Sequence, residues 1–308
     1  MTHCNKVFLL VLVLVSGCRL EPEELPLDPD FELKDPLTPA NFGLLGVRFY
    51  ESSNNLRRWN IEADFAELHR TENYVFLKRV AADFQAGRTG NVVHTVSDEG
   101  RSALNRNAVD LQGNVKVRSH SGYVFTMSSL RYDGDHHEFS SNDEVWMKGP
   151  HVDRPQMILR GTGLKADIDQ EHFFLHRRVT AHKKLKGGDW LLIKSERGEF
   201  YTEEGRAVFN DSIETKLPPG LVIQSDYMEL VSTKDRELME ARENVRVQFK
   251  DKRGWAEKAY FSAGGDRIIL EGTAKVENKR NEVRGRKIVL YTTDDRVEVT
   301  EAEGRVRN

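Results

Sequence analysis

Eight times along its 308 residues, this chain repeats a pair of mostly apolar residues separated by one other residue, at spacings of 29 to 35 residues. Most pairs follow a turn-like Gly, Asn, Asp or Arg within two residues. So regular a period indicates stacked copies of one structural unit, none of which buries its apolar face alone. The pairs begin at Val80, Val115, Val145, Val179, Ile213, Val245, Ala274 and Gly304.

Between the pairs, apolar and polar residues alternate at period two and are interrupted by Gly or acidic turns, as in residues 125–134 and 287–295. This alternation is typical of antiparallel strands with one apolar face. Two strands per repeat predict an all-β fold of about sixteen strands. Residues 227–245 have near-helical apolar spacing instead, but the repeat register predicts strands there as well.

The charges are nearly balanced, with 46 Lys and Arg against 49 Asp and Glu and a formal net charge of -3. Such a balance argues against a nucleic-acid partner attracted by bulk charge. Cys18 is the last cysteine in the chain. We therefore expect neither disulfides nor thiol catalysis in the folded part.

The N-terminus has the layout of a secretory signal peptide. Residues 7–15 form an apolar run of nine residues, whereas a membrane-spanning helix needs roughly 17 to 25. The sequence Val-Ser-Gly-Cys at residues 15–18 resembles the lipobox of bacterial lipoproteins, which implies cleavage after residue 17 and lipidation of Cys18. A plain signal peptide that leaves Cys18 incidental is the alternative. Residues 18–41 are rich in acids and prolines and predict an extended tether.

Several short motifs occur in the order and spacing of one protein family. They lie at residues 46–49, 58–64, 111–117, 126–133 and 161–167. In this arrangement the chain resembles the periplasmic lipopolysaccharide-transport proteins LptC and LptA, also called OstA-like. Residues 42–184 resemble LptC, and residues 185–308 continue the repeat and resemble an appended LptA-type segment. A typical LptC is shorter and has a transmembrane anchor, so this chain departs from that pattern.

The resemblance implies an antiparallel β-jellyroll, open at both ends, whose apolar interior holds the acyl chains of lipopolysaccharide. It implies no catalysis and no cofactor. It further implies a lipoprotein held at the inner membrane and facing the periplasm. Such a protein takes lipopolysaccharide from an inner-membrane ABC transporter and passes it toward the outer membrane through an LptA-like bridge protein. Facing sheets lie roughly 10 Å apart, which leaves room for hydrocarbon where side chains fill the space incompletely.

Alternating apolar residues of the LptC-like segment are the candidate lipid-binding residues, and a closed core built from the same residues is the alternative. Gly161 and Gly163 match a Gly-x-Gly of the family, which implies close backbone approach or a bend, unless they form an ordinary hairpin turn. The predicted interior residues are Trp59, Ile61, Ala63, Phe65, Leu111, Val115, Val117, Phe125, Met127, Leu130, Tyr132, Val145, Met147, Leu164, Ala166, Ile168, Phe173 and Leu175.

The two ends of the repeat are expected to be sheet edges. An edge strand exposes backbone N–H and C=O groups that a second jellyroll can pair with. Residues 44–50 would face the transporter, and residues 297–306 would face the next bridge protein. Charged residues such as Glu298 and Arg305 leave open an edge that is protected against pairing.

Other chemistry is poorly supported. Residues 161–166 fit a loose dinucleotide-binding pattern, but strand-like alternation follows where a helix is needed. The histidine pairs at 136–137 and 172–176 lack further ligands at metal-binding spacing, so we expect turn and surface residues and no metal. The basic cluster at 176–186 predicts a solvated face at a domain junction, with contact to lipid phosphates as the alternative.

The sequence is also compatible with two other functions. One is a structural or adhesion β-solenoid with a dry core and no ligand. The other is an envelope polysaccharide enzyme that uses acid pairs such as those at 203–204 and 294–295. Bound lipid would argue against the first rival. Turnover that is lost when single carboxylates are replaced would identify the second.

Overall fold

The computed structural model describes residues 42–53, 56–69, 73–86, 90–103, 107–233, 237–262, 267–279, 281–294, 296–301 and 303–306. The predicted signal peptide at 1–17, the lipidation of Cys18 and the tether at 18–41 lie outside the described residues. Within the described ranges, no helix is both long enough and apolar enough to cross a membrane.

Every regular element of the described ranges is a β-strand, which confirms the all-β prediction. The nineteen strand segments are β1 (Phe42–Ser53), β2 (Leu56–His69), β3 (Tyr74–Gln85), β4 (Val92–Ala103), β5 (Ala108–Arg118), β6 (Val124–Asp133), β7 (Glu138–Gly149), β8 (Met157–Asp167), β9 (His172–Lys184), β10 (Trp190–Ser195), β11 (Arg197–Tyr201), β12 (Arg206–Leu217), β13 (Leu221–Ser232), β14 (Glu237–Phe249), β15 (Lys252–Ser262), β16 (Arg267–Glu277), β17 (Asn281–Tyr291), β18 (Val297–Thr300) and β19 (Glu303–Val306).

The strands form one continuous antiparallel sheet in which chain neighbours pair. β10 and β11 both pair with β9 and β12, so they are two parts of one interrupted strand. β18 and β19 both pair with β17 in the same way. The nineteen segments thus occupy seventeen strand positions, close to the predicted number. Residues 227–245 lie in β13 and β14, so the repeat register and not the helical spacing predicted their structure correctly.

Most strands bend near their middle. The pairing register shifts between residues 112 and 115, between 242 and 245 and between 271 and 274. Residues with left-handed backbone conformation lie at these points, among them Asn114 (φ 45°) and Asn244 (φ 53°). An extra residue of this kind is a β-bulge, which bends the strand and increases its twist. The turn-like residues before the repeated pairs are therefore bends inside strands, not the hairpin turns that their composition suggests.

Side-chain hydrogen bonds hold the bends of neighbouring strands together. Asn114 Nδ2 donates to Asp98 Oδ2 at 2.7 Å. Asn244 Nδ2 donates to Asp226 Oδ2 at 2.5 Å. An Asn side chain at a bend tolerates the left-handed conformation and also bonds to the neighbouring strand. This double role explains why short polar residues recur at this point of the repeat.

The bends fold the sheet over into two facing layers. Phe84 in β3 contacts Tyr132 in β6 and Phe139 in β7, with ring centroids 4.3 and 5.1 Å apart. Phe125 in β6 lies 5.1 Å from Phe173 in β9. Strands three positions apart in a flat sheet are roughly 14 Å apart. These contacts therefore require the sheet to fold over on itself. The result is the predicted antiparallel jellyroll with an apolar interior.

We name the layers by their turns. Layer one contains the strand halves that lead into the turns at 119–123, 150–156 and 185–189. Layer two contains the halves that lead into the turns at 134–137, 168–171 and 202–205. The sheet has two edges, formed by β1 at one end and by β18 with β19 at the other.

All predicted interior residues are buried except Phe65 and Ala166, which are partly exposed. In β2 the buried positions are Ala63 and then Ala66, three residues later and not two. Phe65 therefore lies off the interior face, and the prediction that it is an interior residue is wrong. The slip occurs at the bend, where Arg79 on β3 has left-handed backbone conformation (φ 52°). Ala166 still packs against the core.

Candidate functional site

The turns of the two layers face each other along the side of the sheet opposite the bends. We call this side the mouth. Polar contacts between the layers cross it. Trp59 Nε1 in layer one donates to Asn107 Oδ1 in layer two at 2.9 Å. Asn91 Nδ2 in layer one donates to Glu171 Oε1 in layer two at 2.8 Å.

A small cavity lies behind the mouth near the turns at 119–123 and 168–171. Its volume is about 80 Å³, well below the roughly 300 Å³ at which ligand pockets begin. Its apolar lining comes from both layers and includes Val117, Phe125, Leu130, Leu164, Ile168 and Phe173. Its charged lining residues, Asp167 and Glu171, are both acidic.

A larger cavity of about 1100 Å³ follows along the same mouth. Its volume is slightly above the usual range of ligand pockets, about 300 to 1,000 Å³. Its floor contains Met147, Phe173, Phe200 and Leu230, each no more than 4% exposed. The rings of Phe173 and Phe200 stack with centroids 4.7 Å apart. The floor therefore combines apolar residues of both layers.

The rim of the larger cavity is basic. Its charged lining residues are Arg154, Lys183, Lys184, Lys186, Arg206 and Glu237. Burial lowers the pKa of the Lys183 ammonium, and the nearby Glu237 carboxylate partly opposes that shift. The Lys183 side chain is only 15% exposed. Lys183 is therefore held at the cavity and not in bulk solvent.

Glu237 joins the two layers at this rim. Its carboxylate Oε2 accepts a hydrogen bond from the Lys186 backbone N–H at 3.1 Å. Oε1 accepts one from the Ser232 hydroxyl at 3.2 Å and lies 3.8 Å from Lys183 Nζ. Since residues 183–186 belong to layer one and Glu237 begins β14 in layer two, these contacts close the mouth at this point.

The basic cluster at 176–186 divides into two parts. Residues 176–178 are exposed, as a solvated face requires. Lys183, Lys184 and Lys186 line the larger cavity. Lys184 and Lys186 are also exposed, as the prediction of a solvated face requires, while the Lys183 side chain is only 15% exposed and departs from it. Leu185 between them turns inward and is 5% exposed.

Only some of the predicted interior residues line a cavity. Those at the small cavity are Val117, Phe125, Leu130, Leu164, Ala166, Ile168 and Phe173, and those at the large one are Met147 and Phe173. The others line neither cavity. Phe200, Leu230 and Glu237 were missed because the list of candidates ended with the LptC-like segment. The same alternation of apolar and polar residues continues through β11 and β13, and it indicates that Phe200 and Leu230 face inward.

Gly161 and Gly163 lie inside β8 and not in a hairpin turn. A Cβ atom at Gly161 would lie 3.0 Å from Leu175 Cδ1, so its missing side chain allows close packing of β9. Gly163 has φ +77°, a conformation that favours glycine. Both residues serve the bend of β8.

Three of the four histidines noted in the sequence pair with carboxylates. His137 Nδ1 lies 3.2 Å from Asp169 Oδ2, and His172 Nε2 lies 2.8 Å from Glu199 Oε1. His136 Nδ1 lies 3.0 Å from Asp133 Oδ2, and this hydrogen bond raises the pKa of His136. Across the part of the chain that the structure describes, no group of three or more His, Cys, Asp or Glu could hold a metal ion.

These observations define an all-β protein whose folded antiparallel sheet encloses an apolar interior with a lateral mouth. Residues 46–184 match the family described as lipopolysaccharide-assembly, LptC-related. Residues 192–296 match the family described as LptA/(LptD N-terminal domain) LPS transport protein. The chain is therefore LptC-like with an LptA-like segment, which confirms the resemblance drawn from its motifs.

Among solved structures, the chain is similar to LptH from Pseudomonas aeruginosa, described as the LptA homologous periplasmic component of the conserved lipopolysaccharide transport device. The sequences are 14% identical, the match covers 38% of this chain and 95% of that chain, and the TM-score is 0.36. No curated protein sequence matches this chain significantly.

Proposed function

We propose that the chain binds lipopolysaccharide between its two layers and carries it across the periplasm as part of a protein bridge. The larger cavity is the observation that carries the proposal. It has a volume of about 1100 Å³, an apolar floor and a lateral mouth. An amphiphile can place its acyl chains on such a floor while its head group stays at the mouth.

Burial of hydrocarbon supplies the binding free energy. Each buried methylene contributes about 0.8 kcal/mol, so several methylenes from more than one acyl chain give stable but reversible binding. This function needs no catalytic group and no cofactor. The free energy for directed movement would come from the ATPase of an inner-membrane transporter, from which the chain receives its lipid.

The cavity also supports a single path through both family segments. Met147 and Phe173 come from the part that matches LptC, and Phe200 and Leu230 come from the part that matches LptA. β9 pairs directly with β10 and β11, so the sheet has no break at the proposed domain boundary, residues 184 and 185. We infer that lipid passes from one segment to the other without leaving the protein.

The two sheet edges are the proposed contact sites for partners. β1 pairs only with β2 among the described strands, and it exposes two apolar residues, Leu45 (78%) and Phe42 (49%). An apolar edge strand of this kind favours pairing with another sheet. We assign this edge to the transporter side and the edge formed by β18 and β19 to an LptA-like bridge protein.

The membrane anchor belongs to the same proposal. Lipidation of Cys18 would hold the protein at the inner membrane, and the acidic segment at 18–41 would place the jellyroll in the periplasm. A single acyl chain gives only marginal membrane binding, so the diacylglycerol expected on a lipoprotein suits stable anchoring better.

Filling the cavity tests the proposal. Ala207 is buried and lines the larger cavity, while Ala81 is exposed on β3. The full-length chain and its A207W and A81W variants are incubated with lipopolysaccharide and separated from free lipid by size exclusion. We expect lipid to elute with the wild type and with A81W, and most of it to be lost from A207W.

Circular dichroism first establishes that each variant is folded. Absence of bound lipid from the folded wild type would refute the proposal, whatever the variants do. Equal binding by A207W would refute the assignment of this cavity.

A ligand-free structural β-solenoid is the second candidate. It is favoured by the many predicted interior residues, such as Tyr132 and Val145, that are buried and line neither cavity. A folded wild-type protein that binds no lipid would support this candidate.

A further inference from the structure

The two cavities differ in charge although they share one mouth. The charged residues that line the small cavity are Asp167 and Glu171, apart from its two histidines. Those that line the large cavity are five cations and one carboxylate, Glu237. The chain as a whole carries a formal net charge of -3. The positive charge at the larger cavity is therefore a local concentration and not a reflection of composition.

We propose that the rim of the larger cavity binds a phosphate ester on the head group of the lipid whose acyl chains occupy the floor. Arg154, Lys184 and Lys186 supply the positive charge. This inference rests on the proposed function, because it assigns the polar end of the same ligand. It predicts that the protein selects phosphorylated lipids over neutral lipids with the same acyl chains.

Backbone hydrogen bonds fix the two turns near which the cations lie. The backbone N–H of Lys184 donates to the Gln156 carbonyl at 2.7 Å, which joins the turn at 185–189 to the turn at 150–156 that carries Arg154. Within the first of these turns, the Leu185 N–H donates to the Asp189 carbonyl at 2.8 Å. Two basic turns of layer one are thus fixed side by side above the apolar floor.

Two of the three cations, Arg154 and Lys184, are available to a ligand. Arg154 and Lys184 are exposed, and no ion pair with a carboxylate is formed by either within the described ranges. Lys183 and Arg206 are engaged differently. Lys183 faces Glu237 at 3.8 Å, and the Arg206 guanidinium bonds to Glu204 at 2.8 Å and lies over the Tyr201 ring. Lys183 and Arg206 add to the positive potential without having to contact the ligand.

A phosphate ester fits this arrangement better than a carboxylate does. It carries up to two negative charges and several acceptor oxygens, so it can bond to more than one cation at once. Arginine and lysine are the side chains that recognise phosphate in proteins. The apolar floor makes a lipid the source of that phosphate, since a free ion would gain nothing from Phe200 or Leu230.

The test compares two lipids and two sets of variants. The lipids are lipid A with both phosphates and the same lipid A with its phosphates removed, and their dissociation constants are measured for the full-length chain in a mild detergent. The rim variant is R154Q/K184Q/K186Q. The control variant is K116Q/R118Q/K148Q, which removes the same charges from exposed strand positions that line neither cavity.

We expect the wild type and the control variant to bind phosphorylated lipid A about tenfold more tightly than the neutral form, since several partly exposed charge contacts together give an effect of this size. The rim variant should lose this preference and bind both lipids alike. Circular dichroism and thermal midpoints establish that the variants are folded.

Each other outcome overturns the inference. Equal binding of both lipids by the wild type would refute the phosphate site and leave the proposed function standing. Binding of neither lipid would refute both. Complete displacement of phosphorylated lipid by inorganic phosphate at equal concentration would assign the rim to free phosphate. Preference that survives in the rim variant would place the phosphate elsewhere.

Discussion

Replacing Glu237 by alanine should destabilise the protein more than any comparable substitution at the mouth. The Glu237 side chain is only 2% exposed, and its carboxylate accepts bonds from Lys186 N and Ser232 Oγ. Glu237→Ala leaves these donors without their acceptor and removes the negative charge beside the partly buried Lys183. An unsatisfied buried donor costs about 1 to 3 kcal/mol, and an unpaired buried charge adds to this.

We expect a loss of about 3 kcal/mol for Glu237→Ala, because Lys183 stays 15% exposed and lies 3.8 Å from the carboxylate. Glu237→Gln keeps an oxygen that accepts the hydrogen bond from Lys186 and should cost about 1 kcal/mol. For a chain of this size, each kcal/mol lowers the melting temperature by about 2 °C. The expected decreases are therefore about 6 °C and 2 °C.

The assay is thermal unfolding followed by far-ultraviolet circular dichroism. Glu204→Gln is the matched control, because that carboxylate is 58% exposed although it also pairs with an arginine, and it should cost no more than about 0.5 kcal/mol. Adding Lys183→Met to Glu237→Gln should recover part of the lost stability by removing the unpaired charge. A melting temperature for Glu237→Ala within about 1 °C of the wild type would refute the reasoning that Glu237 joins the two layers.

Three further substitutions test the fold and its edge. Gly205→Ala should lower the free energy of unfolding by at least about 2 kcal/mol. A Cβ atom at this residue, whose φ is +60°, would lie 2.3 Å from a backbone carbonyl oxygen. Gly187→Ala is the control, because its Cβ would meet nothing within 4 Å. Phe84→Ala should cost about 3 to 5 kcal/mol because the ring is fully buried between the layers; Phe76→Ala, at a ring 40% exposed, should cost less. Leu45→Asp should leave the melting temperature unchanged but weaken association with a partner sheet.

The first two pairs are measured by thermal unfolding and the third also by pull-down with an LptA-like protein. Equal stability of Gly205→Ala and Gly187→Ala would contradict the close approach described for the turn. Equal losses for the two phenylalanines would contradict a fold in which only one ring lies between the layers. Unchanged partner binding by Leu45→Asp would argue against β1 as a docking edge.

The sequence predicted the strands well because their signal is local. Alternation at period two places one face of each strand inward, and the repeat corrected the misleading helical spacing at 227–245. The bends were harder to predict. Their Asn, Gly and Arg residues also suit hairpin turns, and only the pairing register shows that strands continue through them. Phe65 was misplaced for this reason, since a bend moves the inward positions by one residue.

The larger cavity could not be predicted from local patterns. Its floor brings together Met147 and Leu230, which are 83 positions apart in the sequence. Their meeting depends on how far one layer is displaced against the other when the sheet folds over. The role of Glu237 was missed for the same reason, because its partners Lys183 and Lys186 lie on the opposite layer. The alternation in β11 and β13 nevertheless marked Phe200 and Leu230 as inward-facing.

Photocrosslinking tests the presence of lipid between the layers most directly. A photoreactive residue is placed at Phe125 in the small cavity, at Leu230 in the large one, or at exposed Arg131 as the control. The full-length chain is then irradiated with lipopolysaccharide. The account predicts lipid adducts at Leu230, adducts at Phe125 if the acyl chains extend along the interior, and none at Arg131. Folded protein with no adduct at Leu230, or with equal adducts at all three positions, would contradict it.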